Sequence, residues 1–228
     1  MSDLKLAAKT LLGFLRPNSD LKGWKTRDLT SAKHYFSTKD SPSNVFLWSK
    51  LNLENANTIL EIGSNSGNRI FKLAQENSSK RFFAIDINPH AVEYGNAESI
   101  RQGLSNLEFL RIDLRSKDFE TFLQKYKFDV VFSWACLMYI HPIKIWWILR
   151  VLLQSSSRLV IIEQNEDKLP HKLVWGGTNW RHNYCLILER IAYRMSYAVS
   201  IDKHEVPTGI WNPGGGNATA FLVSKTAR

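Results

Sequence analysis

Thr58-Ile-Leu-Glu-Ile-Gly-Ser-Asn-Ser-Gly-Asn68 is a short apolar run that ends in an acid and then breaks into a loop of Gly, Ser and Asn. A helical pattern, Arg69-Ile-Phe-Lys-Leu-Ala-Gln75, follows at once. The succession reads as strand, tight loop, helix. Gly63 and Gly67 allow positive φ and close approach of the backbone to a ligand. The helix behind the loop presents unpaired N–H groups. The spacing excludes two nucleotide loops. A G-x-G-x-x-G fingerprint counted from Gly63 meets Asn65 and Asn68, and a loop ending Gly-Lys-Ser/Thr meets Asn68, Arg69 and Ile70.

Two further apolar runs close on acids. Arg81-Phe-Phe-Ala-Ile-Asp-Ile-Asn-Pro-His90 carries Asp86, roughly 20 residues beyond the glycine loop, where a strand-tip carboxylate accepts hydrogen bonds from a ribose diol. Asn88-Pro89 then starts a helix, because Pro fits a first helical turn. Leu107-Glu-Phe-Leu-Arg-Ile-Asp-Leu114 closes on Asp113. Phe128–Trp134 and Arg158–Glu163 read as fourth and fifth strands around an apolar helix, Ile143–Leu153. Strands alternating with helices imply parallel strands joined by crossovers, with ligands at the carboxyl ends of the strands. Alternation in Ser196–Asp202 and Ala218–Ser224, around the Gly-rich stretch 207–217, suits an antiparallel pair at the sheet edge.

Glu61-Ile62-Gly63-Ser64-Asn65-Ser66-Gly67, followed in order by Asp86 and Asp113, resembles the class I S-adenosylmethionine-dependent methyltransferases, with Asn65 where that family usually has Gly. The resemblance is carried by residues 55–165 and extends to the C-terminal strand pair. It implies an α/β fold: a Rossmann-like doubly wound sheet, mostly parallel with a C-terminal antiparallel strand pair, and helices on both faces. It also implies S-adenosyl-L-methionine as cofactor, held by Glu61, Gly63, Ser64, Asn65, Gly67, Asp86, Ile87, Asp113, Leu114 and Ser133. Asp113 faces the adenine amino group in this picture, and Leu114 packs on the ring. His141 and His182 are the candidate bases, since an imidazole serves near neutral pH. Ser133-Trp-Ala-Cys136 lacks the Asn/Asp-Pro-Pro-aromatic motif of amino methylation and the Pro-Cys of cytosine C5 enzymes. Leu137-Met-Tyr-Ile-His-Pro142 is closer to small-molecule methyltransferases. The acceptor expected is a small polar molecule such as a sugar or nucleotide-linked sugar. An RNA methyltransferase and a non-catalytic S-adenosylmethionine-binding protein are the alternatives.

The expected organisation is a cap segment (1–50) and a methyltransferase domain (51–228), with a cofactor core (55–165) and a substrate-side and C-terminal segment (166–228). Lys+Arg against Asp+Glu counts are 9 to 4 in residues 1–50, 13 to 12 in 51–165 and 8 to 5 in 166–228, so all but one unit of the net +9 sits in the flanks. That distribution suits an anionic partner. Aromatics Trp24, Tyr35, Phe36 and Trp48 lie in a segment read as irregular, with Ser41-Pro-Ser-Asn44 as a turn. Met1–Leu15 reads as an amphipathic helix with spaced charges rather than a signal-peptide core. Trp175–Tyr184 precedes a helix, Cys185–Ala192, at whose start Arg181 would meet an anion. No apolar run reaches 18 residues, so no membrane span is expected, and two cysteines with no disulfide framework fit the cytoplasm.

Overall fold

The computed structural model describes residues 23–169, 171–173, 179–210 and 217–226. Strands β1 (Thr58–Ile62), β2 (Arg81–Asp86), β3 (Leu107–Arg111), β4 (Phe128–Trp134) and β5 (Ser156–Gln164) are parallel. They belong to a seven-stranded sheet that β8 (Ala198–Glu205) and β9 (Ala218–Thr226) complete in the order β3-β2-β1-β4-β5-β9-β8. β9 runs antiparallel to both β5 and β8. Chain order reverses at β1, whose Ile62 pairs with Ile85 of β2 on one side and Ser133 of β4 on the other. A crevice therefore opens at the carboxyl end of β1.

Two apolar layers cover the sheet, which is why its strands read as near-continuous hydrophobic runs. Leu60, Ile62, Phe83 and Ile85 point to one layer with α5 (Lys117–Lys125), α6 (Pro142–Ser155) and α7 (Tyr184–Arg194). Ile59, Phe82 and Ala84 point to the other, which contains residues of α1 (Leu29–Ser37), α2 (Pro42–Leu51), α3 (Ile70–Glu76) and α4 (Pro89–Arg101). The ring of Phe109 wedges between elements on this side. A Cβ added at Gly67 would lie 2.4 Å from it and one at Gly95 2.6 Å, so both glycines make room for β3.

Residues 28–51 are not irregular. Asp28 caps α1 through Ser31 N (2.9 Å). Ser41-Pro42, expected as a turn, is the start of α2, with Ser41 at the N-cap and Pro42 in the first turn. Leu47 and Leu51, one helical turn apart, are buried, and this tertiary burial decides between two readings that share the same Ser-Pro signal. A short ribbon of β6 (His171–Leu173) and β7 (Trp180–His182) was not anticipated. It places Arg181 and His182 on a strand, while α7 begins at Tyr184 behind the Asn183 cap. The helix expected at 1–15, residues 175–178 of the stretch expected before Cys185 and the triple glycine at 214–216 fall outside the described residues. No helix among the described residues is long and apolar enough to cross a membrane.

Candidate active site

The loop after β1 is shaped by three left-handed residues, Gly63 (φ 67°), Asn65 (φ 49°) and Gly67 (φ 90°). Asn tolerates this conformation better than most side chains, which accounts for its place in a glycine loop. Gly63 N and Ser64 N both donate to Ile85 O (2.9 and 3.1 Å), tying the loop to β2. A Cβ at Gly63 would stand 2.3 Å from Cys136 Sγ, so this glycine is demanded by packing as well as by φ. Asp86 at the tip of β2 accepts from Asn65 N through Oδ2 (2.7 Å) and from Asn88 N through Oδ1 (2.8 Å). Burial raises its pKa against the pull of those N–H groups. Two amides thus fix the carboxylate and leave acceptor capacity on both oxygens. Asp113 is gripped by Arg115 Nε (2.9 Å) and Nη2 (2.7 Å). Partial burial pushes its pKa up, but the Arg115 bonds outweigh that and hold it below the usual range.

The opposite lip follows β4. Ala135 takes φ 53°, an uncommon value for a residue with a Cβ, and the chain then makes a 3-10 turn over Leu137–Tyr139. The cause is Glu163, fully buried at the end of β5. Its Oε1 accepts from Cys136 N and Leu137 N (both 2.8 Å) and from Ser133 Oγ (3.3 Å), and its Oε2 from Met138 N (3.3 Å). Burial pushes its pKa up to about 7, opposed by those donors. Glu163 is therefore a clamp that sets the backbone beside Gly63.

On the near side stand Glu61 and Arg69. Burial, partly offset by Arg69, pushes Glu61 up to about 8, and its Oε2 has no hydrogen-bond partner. The side chains of α2 hold the backbone here: Asn44 donates to Asn68 O (2.7 Å) and Trp48 to Arg69 O (3.0 Å). Above the loop, Arg27 lies 3.5 Å from the Trp24 ring centre and donates to Tyr35 Oη (2.9 Å), and Trp24 meets Tyr139 at 5.6 Å between ring centres. These walls enclose a cavity of about 510 Å³.

Gly63, Asn65, Asp86, Ile87, Asp113 and Leu114 line this cavity. Glu61, Ser64, Gly67 and Ser133 are not among its lining residues: the first is buried under the loop, Ser64 donates to Asn65 O, Gly67 abuts Phe109 and Ser133 donates to Glu163. The two candidate bases stand apart from it. His141 caps α6, its Nδ1 accepting from Ile143 N (3.3 Å), and packs edge-on against Trp180. His182 is fully buried, with Nδ1 2.9 Å from His171 Nδ1 and Nε2 3.0 Å from Ile140 O. Burial, reinforced by His171, lowers its pKa to about 3. The imidazole that does line the cavity is His34, on α1. Sequence reasoning also passed over Arg69, Tyr139 and Cys136 as lining residues and Glu163 as the clamp; an Arg directly after a glycine loop was the available signal for the first.

Sheet order, glycine loop and acid-tipped strands define a Rossmann-like protein with the class I methyltransferase fold. A methyltransferase-domain family model matches residues 53–208, more than half of the chain, and the protein belongs to that family. No curated protein matches the sequence. Solved structures with the same fold include the O-methyltransferase of a trans-AT PKS multienzyme from Brevibacillus brevis in complex with S-adenosyl-L-homocysteine (TM-score 0.62, 11% identity, 78% of this chain and 70% of that one). Another is a SAM-dependent methyltransferase from Aquifex aeolicus (TM-score 0.57, 15% identity, 87% and 98%). A third is magnesium protoporphyrin IX methyltransferase from Synechocystis with bound SAM (TM-score 0.55, 14% identity, 84% and 79%).

Proposed function

We propose that the protein binds S-adenosyl-L-methionine in this cavity and transfers its methyl group to a small polar acceptor, of the sugar or nucleotide-linked sugar kind. The observation that carries the reading is Asp86, a lining carboxylate preset by two backbone amides and suited to a ribose diol. Asp113 with Ile87, Ile112 and Leu114 offers an acceptor and an apolar seat for a base one strand further along. When bound, the cofactor supplies a methyl group made electrophilic by a sulfonium. The chain's part is alignment, which is where most of the rate of such a transfer arises. Its loop and the Glu163-clamped lip form the two facing walls. The acceptor side is Trp24, Tyr35, Tyr139 and His34, flat rings with polar edges that suit a molecule carrying both apolar faces and hydroxyls. Neither His141 nor His182 receives a proton-transfer role in this reading. Isotope-labelled S-adenosylmethionine, incubated with the protein and fractionated metabolites or RNA, tests it: label is expected in small molecules. Label in RNA alone overturns the acceptor class, and failure to bind the cofactor or its demethylated product at millimolar concentration overturns the reading altogether.

A further inference from the structure

Arg69 is a cavity-lining cation that nothing in the proposed reaction yet uses. Its guanidinium makes one hydrogen bond among the described residues, Nη1 to Asn68 Oδ1 (3.1 Å), and its buried Nε has no partner. Its ring neighbour is Trp134, 5.3 Å from Cζ to ring centre. No carboxylate lies within ion-pair distance of it among the described residues, and Glu61, the acid that interacts with it most strongly, is pushed toward its neutral form by burial. A guanidinium cannot relieve this by losing its proton. The position is also built: Asn44 and Trp48 fasten the carbonyls of residues 68 and 69. A partly buried, preorganised fork with unused N–H groups is a receptor for a carboxylate or phosphate.

The sheet says which anion. Asp113, Asp86, the Gly63 loop and Trp134 follow β3, β2, β1 and β4 along one edge. Three strand spacings amount to about 14 Å. An adenosyl amino acid with its base at Asp113 and its ribose at Asp86 has its amino-acid end at β1 and β4, where Arg69 stands. We propose that Arg69 is the residue that binds the α-carboxylate of the cofactor. The inference rests on the cofactor reading given above and adds to it a residue and a charge requirement.

The test compares two ligands that differ only in that carboxylate, S-adenosylmethionine and its decarboxylated form, by calorimetry on the full chain and on Arg69→Met. The unmodified protein is expected to prefer the carboxylated ligand by at least tenfold, and Arg69→Met to abolish the preference while leaving affinity for the decarboxylated ligand within about twofold. Arg69→Lys, which keeps the charge but not the fork, should restore part of the preference and serves as the folded comparison if the Met variant melts early. A preference that survives in Arg69→Met, or equal loss of both ligands in a variant whose melting temperature is unchanged, overturns the assignment. If the unmodified protein binds neither ligand, the cofactor reading itself falls, a result distinct from either of these.

Discussion

Asp86 has two duties, and they are separable. Its carboxylate holds the loop and α4 through Asn65 N and Asn88 N, and it offers its remaining lone pairs to the cavity. Asp86→Ala is expected to weaken S-adenosylhomocysteine binding by more than tenfold in calorimetry and to lower the melting temperature as well, because two amides lose their acceptor. Unchanged affinity with a lowered melting temperature would leave Asp86 only its structural duty. A second residue-scale effect belongs to the buried imidazoles. Trp146 Nε1 is donor-only and points at His171 Nε2 (3.2 Å), so His171 donates from Nδ1 to His182 Nδ1, and His182 donates from Nε2 to Ile140 O. Each ring has one donor and one acceptor, and a proton added to either sets N–H against N–H. Burial takes His171 to about 4 and His182 to about 3, below the ordinary 6.5. The unfolded chain therefore takes up protons first, and this contribution to stability, present above pH 6.5, is lost as the pH falls toward 4. Urea unfolding of His182→Leu between pH 6.5 and 4.5 is expected to show a shallower pH slope than the unmodified protein; an unaltered slope would refute the relay. None of this was legible in the sequence, where His182 is one polar residue in an aromatic stretch and its partners His171 and Ile140 lie 11 and 42 positions away.

At the scale of elements, the site is a contact between two loops that meet without room to spare. Gly63 on the β1 loop faces Cys136 on the β4 loop, and a methyl group at Gly63 would come within 2.3 Å of Sγ and 2.5 Å of Cβ. Gly63→Ala is expected to destabilise the fold by roughly 2 kcal/mol or more, from overpacking and left-handed strain together. Cys136→Gly removes both clashing atoms, so the double variant should recover the packing part while retaining the strain. A double variant no more stable than Gly63→Ala would show that the clash is relieved by loop movement instead. Glu163 is the other half of the contact. Glu163→Ala strands three backbone N–H groups, and a loss of about 3 kcal/mol in chemical unfolding is the expected result. The β1, β2 and β3 tips were readable because each acid closes its own apolar run, so strand end and acid share one local signal, although only Asp86 and Asp113 of the three line the cavity. The Glu163 clamp was not, since an acid ending a fifth strand looks the same whether it faces solvent or grips a turn 25 to 27 residues away. The α1–α2 pair was hidden for a related reason: its apolar residues read as scattered aromatics until the sheet supplies the surface that Phe36, Leu47 and Leu51 cover.

The whole molecule joins these contacts through a cavity with walls from distant parts of the chain. Trp24, His34, Tyr35, Thr38 and Ser41 face it from the α1–α2 side, Asp86, Asp113 and Trp134 from the sheet edge, and Gly209 and Ile210 from beyond β8. Family resemblance predicted the sheet and its switch point, because alternating strands and helices admit few topologies once crossovers are right-handed. It did not predict how the segment before β1 closes the site, since that depends on side chains such as Asn44, Asn68 and Thr38 meeting across 24 to 30 positions. A ligand held between the two sides couples them. It stabilises the folded state by mass action, about 2.7 kcal/mol at one hundred times its dissociation constant. For a chain of this length that amounts to a rise of roughly 5–10 °C in melting temperature. If the cofactor touches only the strand tips, protection from hydrogen exchange should increase there alone. If it also bridges to the α1–α2 side through Arg69, whose backbone hangs from Trp48, amides of residues 29–51 should gain protection on adding S-adenosylhomocysteine, and should fail to gain it in Arg69→Met at a ligand concentration that still saturates the variant. Equal protection of residues 29–51 in both proteins would mean that the adenosine half alone draws the two sides together.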